Sequence, residues 1–364
     1  MQTPRIGFIS LGCPKATVDS EKILTLLCSE GYQIVDDYDQ AEIIVINTCG
    51  FINEAIDESL LAIEEALTEN GHVIVTGCLG ARPELIQGRF SNVIAITGPA
   101  QTEQVLEAIH QQFPAPHLPK AELVPDSGIK LTPRHFAYVK ISEGCSHRCS
   151  FCIIPQLHGD LVSRPFSDII VEAETLINDG VKELLIVSQD TTSYGNDLNN
   201  PTIKFRDKAL KTNIIELAQT LSTLDAWVRL HYLYPFPTVA EILPFMNNRN
   251  LLPYLDVPFQ HASPTVLRQM KRPGNQDRLL EQISQWREIT PDLTIRSTFI
   301  VGFPGETDED FMKLSEFIKS AQLDRVGTFK YSPVDGASAN ELPDQIPESD
   351  KEDRLQELMA VQAE

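Results

Sequence analysis

Residues 137–152 read AYVKISEGCSHRCSFC, and this stretch joins a predicted strand to a cysteine motif. The run Ala137–Ser142 predicts the strand. Cys145, Cys149 and Cys152 then follow with the spacing C-x-x-x-C-x-x-C. Three thiolates so close together can hold three irons of a 4Fe-4S cluster and leave the fourth iron open for a substrate or cofactor. The stretch therefore predicts an iron-sulfur site directly after the first strand of a larger domain.

A zinc site is the alternative interpretation of this motif, with His147 as the fourth ligand. Zinc sites usually carry two pairs of ligands, one on each side of a gap in the sequence. No second pair follows Cys152. The spacing therefore favours an iron-sulfur cluster over zinc.

The sequence after the motif repeats a strand pattern followed by a helical pattern. The six strands predicted for this larger domain are Ala137–Ser142, Glu183–Gln189, Trp227–Leu233, Tyr254–Phe259, Thr294–Val301 and Arg325–Tyr331. Six β/α units are too few for the closed eight-stranded barrel. We therefore expect an open partial barrel over residues 134–348, with its active site at the carboxyl ends of the strands. Residues 349–364 form one more helical pattern.

The first 112 residues show the same alternation on a smaller scale. The predicted strands are Arg5–Ser10, Glu42–Asn47, His72–Thr76 and Asn92–Ile96. Helical patterns between them predict a small doubly wound parallel sheet, so that the fold class of the whole chain is α/β. Residues 113–133 carry five prolines without a sustained period and are predicted to be a linker.

A second set of cysteines belongs to this smaller domain. Cys13, Cys49 and Cys78 each follow a predicted strand. The carboxyl ends of parallel strands meet at one edge of a sheet, so we expect these thiols to converge in a second three-thiolate site. The alternative is that each is a small buried apolar side chain. Cys28 lies within a helical pattern, and we assign it to packing.

The composition is that of an acidic folded protein. It has 51 Asp and Glu residues against 30 Lys and Arg, a net charge of −21, of which −11 falls on residues 1–125. This charge argues against a general nucleic-acid binder and favours a basic partner. No apolar run approaches the roughly 20 residues of a membrane helix, and the first ten residues lack the features of a signal peptide. We therefore predict a cytoplasmic protein with no membrane partner.

The triplet C-x-x-x-C-x-aromatic-C resembles that of the radical S-adenosylmethionine (SAM) superfamily, and the preceding three-cysteine domain resembles its methylthiotransferases. Further stretches similar to that family are Cys152–Pro155, Ser163–Pro165, Gln189–Gly195, Asp256–His261, Met270–Pro273 and Gly302–Thr307. The resemblance implies two 4Fe-4S clusters. The first would cleave SAM to a 5′-deoxyadenosyl radical, and the second would carry the sulfur or methylthio group. An external electron donor such as flavodoxin or ferredoxin is also implied.

The resemblance further implies a set of residues around SAM. Phe151 would lie against the adenine edge, Gln189 and Asp190 near the methionine amino group, and Arg229 and Gln260 near the ribose and carboxylate. Each has a structural alternative: Phe151 could be a core aromatic, and Arg229 could belong to a surface ion pair.

Two departures from the family pattern stand out. The family usually has Arg-Gly after its Ile-Ile-Pro segment, whereas this chain has His158-Gly159. Members also usually end in a small β-barrel RNA-binding domain, and nothing after Gln362 could form one. We therefore expect that tail domain to be absent.

Two branches of the family differ in substrate. One modifies an isopentenylated adenosine beside the tRNA anticodon, and the other modifies the β-carbon of an aspartate in the small-subunit ribosomal protein uS12. Gln189–Gly195 and Arg229–Pro235 resemble the ribosomal-protein branch, and a net charge of −21 favours a basic substrate protein or the small subunit. The tRNA branch is the alternative. A non-catalytic iron-sulfur or zinc scaffold that docks on ribosomes is an alternative of another class.

Overall fold

The computed structural model describes residues 3–247 and 250–363. The chain divides into two compact units. The first consists of Met1–Lys140, Gln156–Gly159 and Val171–Lys182, and the second of Ile141–Pro155, Asp160–Ile170 and Glu183–Glu364. The domain limits at residues 112, 133 and 348 stay predictions.

The first unit is built on a five-stranded sheet. Its elements are β1 (Arg5–Ser10), α1 (Pro14–Ser29), β2 (Gln33–Val35), β3 (Ile43–Thr48), α2 (Asn53–Glu69), β4 (Val73–Gly77), α3 (Pro83–Gln87), β5 (Ala95–Ile96) and α4 (Thr102–Gln112). The strand order is β2-β1-β3-β4-β5, and all the pairs are parallel. Every residue of β3 is buried, because this central strand is covered on both faces. The parallel α/β sheet predicted from the sequence is confirmed.

Helices α1 and α4 share one face of this sheet. Ile23 and Leu27 of α1 pack with Val105 and Ile109 of α4 in one core cluster over the strands. The proline-rich segment after α4 lies along α1. Its backbone N–H groups donate to α1, as Ile129 does to the Thr25 hydroxyl at 2.8 Å.

The remaining elements carry the larger sheet. They are β6 (Phe136–Lys140), β7 (Ser142–Glu143), α5 (Ile154–His158), β8 (Val162–Ser163), α6 (Phe166–Asn178), β9 (Glu183–Val187), β10 (Thr202–Phe205), β11 (Lys208–Lys211), α7 (Ile214–Leu221), β12 (Trp227–Leu230), α8 (Thr238–Ile242), β13 (Leu251–Asp256), α9 (Pro264–Gln269), α10 (Gln276–Ile289), β14 (Thr294–Val301), α11 (Asp308–Ala321), β15 (Arg325–Lys330) and α12 (Glu348–Ala363).

Six of these strands form one sheet in the order β15-β14-β13-β12-β9-β6. The pairs from β9 to β15 are parallel, and each strand lies beside its predecessor in the sequence of barrel strands. The sheet therefore begins at β6 and ends at β15 without closing, which confirms the predicted open barrel. All six predicted strands are present, and Thr294–Val301 has the predicted limits.

Short or polar strands were absent from the sequence prediction. The strand β2 has three residues, β7 and β8 have two each, and the hairpin β10-β11 is rich in lysine. None of these strands has a sustained alternation of apolar residues, so their pairing depends on the segments of the protein that lie beside them. In the part of the chain that the structure describes, no helix has the length and apolar character needed to cross a membrane.

Candidate iron-sulfur and cofactor sites

The motif Cys145–Cys152 forms a partly buried loop after β7, and its three cysteines are of intermediate exposure. The Cys152 amide donates to the Cys149 carbonyl at 3.1 Å, which turns the chain back on itself. Burial raises the pKa of Cys145 to about 11 and that of Cys152 to about 12, and the neighbouring thiols of the motif also raise both values. Cys145 and Cys152 therefore hold their protons more strongly than free thiols do, and binding of a metal would displace those protons.

The donor set of this loop fits an iron-sulfur cluster. No three Cys, His, Asp or Glu side chains among residues 3–247 and 250–363 converge as the ligands of a single metal ion would. A 4Fe-4S cluster makes a different demand, because each thiolate binds its own iron. His147, the fourth ligand of the zinc alternative, is held elsewhere: its Nε2 atom lies 2.7 Å from the Asp190 carboxylate.

The loop is pinned to the segment that follows α9. The Ser150 amide donates to the Met270 carbonyl at 3.2 Å, and the Ser150 hydroxyl donates to the Gln269 carbonyl at 2.7 Å. Arg272, two residues later, places Nη1 at 4.0 Å from the Cys149 sulfur. The stretch Met270–Pro273 resembles the methylthiotransferase family in sequence. Its sequence does not indicate that Arg272 lies beside a cysteine 123 residues away.

An aromatic stack holds Arg272 in this position. Its guanidinium lies 3.9 Å from the centre of the Tyr234 ring, and the His147 ring stacks on Tyr234 with centroids 4.1 Å apart and an interplanar angle of 17°. Arg272 also donates to the Pro258 carbonyl. The positive charge of Arg272 lowers the pKa of Cys145 and Cys152, which offsets part of the effect of their burial.

Asp190 is the anchor of the same network. It is 3% exposed and accepts hydrogen bonds from His147, from the Thr192 amide at 3.0 Å, and from the Thr192 and Ser193 hydroxyls. Burial by itself would raise the pKa of Asp190, but the hydrogen bonds from His147, Ser193 and Thr192 outweigh it and lower the pKa. Its oxygens are engaged within the protein, so this geometry favours an anchoring role over a contact to SAM.

Polar atoms without hydrogen-bond partners collect near the carboxyl ends of β12 and β13. Among the described residues, Gln260 Oε1 and His231 Nε2 are buried and have no hydrogen-bond partner. His261 Nε2 is also buried without a hydrogen bond, and the Glu306 carboxylate lies 3.7 Å from it. Gln260 also has φ of +73°, a strained conformation for a residue other than glycine. Buried polar atoms are normally paired, so these strand ends suit a polar ligand such as SAM.

The other SAM residues suggested by the resemblance make contacts within the protein. Gln189 donates to Glu143 at 2.8 Å. Arg229 donates to Glu183 at 2.7 Å and lies over the Tyr254 ring at 4.6 Å. Phe151 packs against an apolar cluster that contains Val266, Met270 and Phe303. The contacts of Arg229 and Phe151 match their structural alternatives, and their roles at SAM stay predictions.

The second cysteine set lies on adjacent loops at one edge of the small sheet. Cys13 precedes α1, Cys49 follows β3 and Cys78 follows β4. The Cys78 amide donates to the carbonyl of Thr48 at 3.0 Å, so these two loops are in direct contact. Burial raises the pKa of Cys49, and the nearby Cys13 thiol raises it further. Three thiols on neighbouring strand ends are a suitable donor set for a second cluster.

His158 replaces the arginine usual in the family and contacts this second set. Its Nε2 atom lies 3.2 Å from the Cys78 sulfur. The sequence marked His158 as unusual but did not connect it with Cys78, which is 80 residues away.

Comparison with known proteins assigns both parts of the chain to families. Residues 139–318 match the radical SAM superfamily, and residues 5–98 match the family described as "Uncharacterized protein family UPF0004". The ribosomal protein uS12 methylthiotransferase RimO of Thiobacillus denitrificans is 59% identical over 363 residues, which cover 100% of this chain and 82% of that protein. The chain belongs to the RimO family of uS12 methylthiotransferases.

A second RimO, from Stenotrophomonas maltophilia, is 58% identical over 361 residues, covering 99% of this chain and 80% of that protein. As a radical SAM methylthiotransferase, the chain is an enzyme whose family implies SAM and one 4Fe-4S cluster.

Solved structures show the fold alone. TsrM from Kitasatospora setae aligns with a TM-score of 0.62 at 12% identity, over 92% of this chain and 77% of that one. OxsB aligns with a TM-score of 0.58 at 9% identity, over 100% of this chain and 56% of that one.

Proposed function

We propose that this RimO-family chain methylthiolates the β-carbon of an aspartate in ribosomal protein uS12. The observation that carries the proposal is the 58–59% identity to uS12 methylthiotransferases over nearly the whole chain. The net charge of −21 supports it independently, because a basic ribosomal protein is attracted to such a surface and tRNA is repelled. Because uS12 is a ribosomal protein, the reaction would take place in the cytoplasm.

The first cluster would be held by Cys145, Cys149 and Cys152. When bound together with SAM, it supplies the organic radical that removes hydrogen from an unactivated carbon, which no side chain is basic enough to do. The protein's part is to hold the loop rigid. Asp190 fixes His147, and Arg272 keeps a positive charge beside Cys149.

A second 4Fe-4S cluster on Cys13, Cys49 and Cys78 would supply the sulfur. Support comes from the position of the three thiols after neighbouring parallel strands, where ligands of open α/β sheets bind. His158 would hold the Cys78 sulfur in place. The electron for SAM cleavage would come from an external donor such as flavodoxin or ferredoxin.

SAM would occupy the strand ends of the partial barrel. Gln260 is the best supported contact, because its amide oxygen is buried, unpaired among the described residues and held by a strained backbone. Gln189 would lie near the amino group beside Glu143. The family resemblance also suggests Phe151, Asp190 and Arg229, but their contacts within the protein favour structural roles for all three.

The test is an anaerobic competition. Reconstituted enzyme with SAM, sulfide and a strong reductant is offered unmodified uS12 and isopentenylated tRNA together, and both are analysed by mass spectrometry. A methylthio group on an aspartate of uS12 is expected. The variants Cys145→Ala and Cys13→Ala should abolish it, whereas Cys28→Ala, the control cysteine outside both sets, should not.

Other outcomes are equally informative. Modification of tRNA alone would refute the substrate assignment. Bound zinc, or failure of the reconstituted protein to cleave SAM, would refute catalysis and favour a ribosome-docking scaffold.

A further inference from the structure

A groove opens on the first unit because one crossover lacks a helix. Between β2 and β3 the chain forms only a 3-10 turn, Tyr38–Gln40, where a doubly wound fold usually has a helix. The groove has a volume of about 650 Å³ and lies between the carboxyl half of β1, this turn and α2. Its apolar lining includes Ile9, Leu11 and Leu61, and the Leu61 side chain is 64% exposed.

Carboxylates of α2 line the groove as well. Glu54, Asp57, Glu58 and Glu65 recur at helical spacing beside Leu61, and all four are exposed. The surrounding region, residues 1–125, has only 6 Lys and Arg residues against 17 Asp and Glu. An apolar strip bordered by carboxylates matches a protein segment that carries both apolar and basic side chains, and it repels phosphate.

The groove is continuous with the second cysteine set. Leu11 is two residues before Cys13. Ser59, the neighbour of Glu58 on α2, holds the Cys49 backbone: its hydroxyl lies 3.0 Å from the Cys49 amide and 2.9 Å from its carbonyl. A chain bound in the groove would therefore lead to the thiols from which sulfur is to be delivered.

We propose that a basic segment of uS12 docks in this groove, beside the residue to be modified. This inference rests on the proposed function and identifies the surface that recruits its substrate. Lys and Arg side chains of uS12 pair with the carboxylates of α2, and an apolar side chain covers Leu61. Ribosomal proteins carry such basic segments because they bind RNA phosphates.

The test compares two charge reversals in the reconstituted holoenzyme. Glu54→Lys/Asp57→Lys alters the groove. Glu103→Lys/Glu107→Lys is the matched control: it makes the same change of charge on exposed positions of α4, which packs with α1 rather than α2. Glu54 and Glu103 are each the second residue of their helices, so both variants place a lysine in a first turn.

The groove variant should raise the KM for uS12 about tenfold, the loss expected from two exposed ion pairs replaced by repulsion. Iron content, kcat and SAM cleavage without uS12 should stay unchanged, and the control should change KM less than twofold. Leu61→Asn, which leaves the charge unaltered, should raise KM as well. The salt dependence of uS12 binding should weaken only in Glu54→Lys/Asp57→Lys, the groove variant that changes the charge.

Unchanged KM in both groove variants would overturn the inference, and so would equal losses in groove and control variants. If the wild-type enzyme modifies uS12 in the same assay, such a result contradicts the docking site alone. If it modifies only tRNA, the proposed function itself is wrong.

Discussion

Replacing Asp190 with asparagine distinguishes two roles for this residue. The family resemblance puts it near the methionine amino group of SAM. In the structure its carboxylate instead accepts hydrogen bonds from His147, Thr192 and Ser193, and His147 belongs to the cluster loop. The variant Asp190→Asn keeps the size of the side chain but removes the charge and presents an amide N–H to these donors. We expect the loop to lose its anchor.

The size of the effect follows from burial. Each hydrogen bond to a charged group contributes about 1.5–3 kcal/mol, and Asp190→Asn disturbs several such bonds to a buried carboxylate, so we expect a loss of about 3 kcal/mol. Since 1.4 kcal/mol is a factor of ten, the cluster-binding conformation of the loop would be about 100-fold less populated. Chelators should then extract iron from the first site up to about 100-fold faster.

The assay needs only the first site. In a background where Cys13, Cys49 and Cys78 are alanine, iron per chain and the rate of its release to a chelator report on Cys145, Cys149 and Cys152. Asp310→Asn is the control, because Asp310 is a buried carboxylate that accepts from Ser263 and Thr307 at the start of α11. Normal iron content and release in Asp190→Asn, together with weakened SAM binding, would refute the anchoring argument.

Three further predictions follow from the same contacts. Arg272→Gln should make the midpoint potential of the first cluster more negative, measured without SAM, because a cation beside Cys149 stabilises the reduced cluster. A potentiometric titration checks this prediction. An unchanged midpoint potential would assign Arg272 to packing. Thr307→Ala should lower the free energy of unfolding by about 1 kcal/mol in a denaturant titration, because it removes the capping box of α11. Burial raises the pKa of Asp310, but hydrogen bonds from Ser263 and Thr307 lower it overall, so its stabilisation is present above about pH 4. The advantage of wild type over Asp310→Asn should therefore shrink as the pH falls below that value.

Local pattern was sufficient for the fold class and the cysteine motifs. Thr294–Val301 alternates buried and partly exposed residues, and β3 begins with four consecutive β-branched residues, so each strand can be predicted without knowledge of its neighbours. The motif Cys145–Cys152 lies within eight residues, and three irons of a cluster need no distant ligand. The position of Cys13, Cys49 and Cys78 at the ends of neighbouring strands was also predictable, because parallel strands end at a common edge.

The partners of those cysteines depended on tertiary structure. Arg272 contacts Cys149 across 123 residues, and His158 contacts Cys78 across 80. Hydrogen bonds and ion pairs have a short range, so a contact between distant residues exists only when the path of the chain brings them together. The sequence by itself therefore determined which chemistry the chain carries. Only the folded chain decided that Asp190 contacts His147 in the cysteine loop and that Arg229 pairs with Glu183.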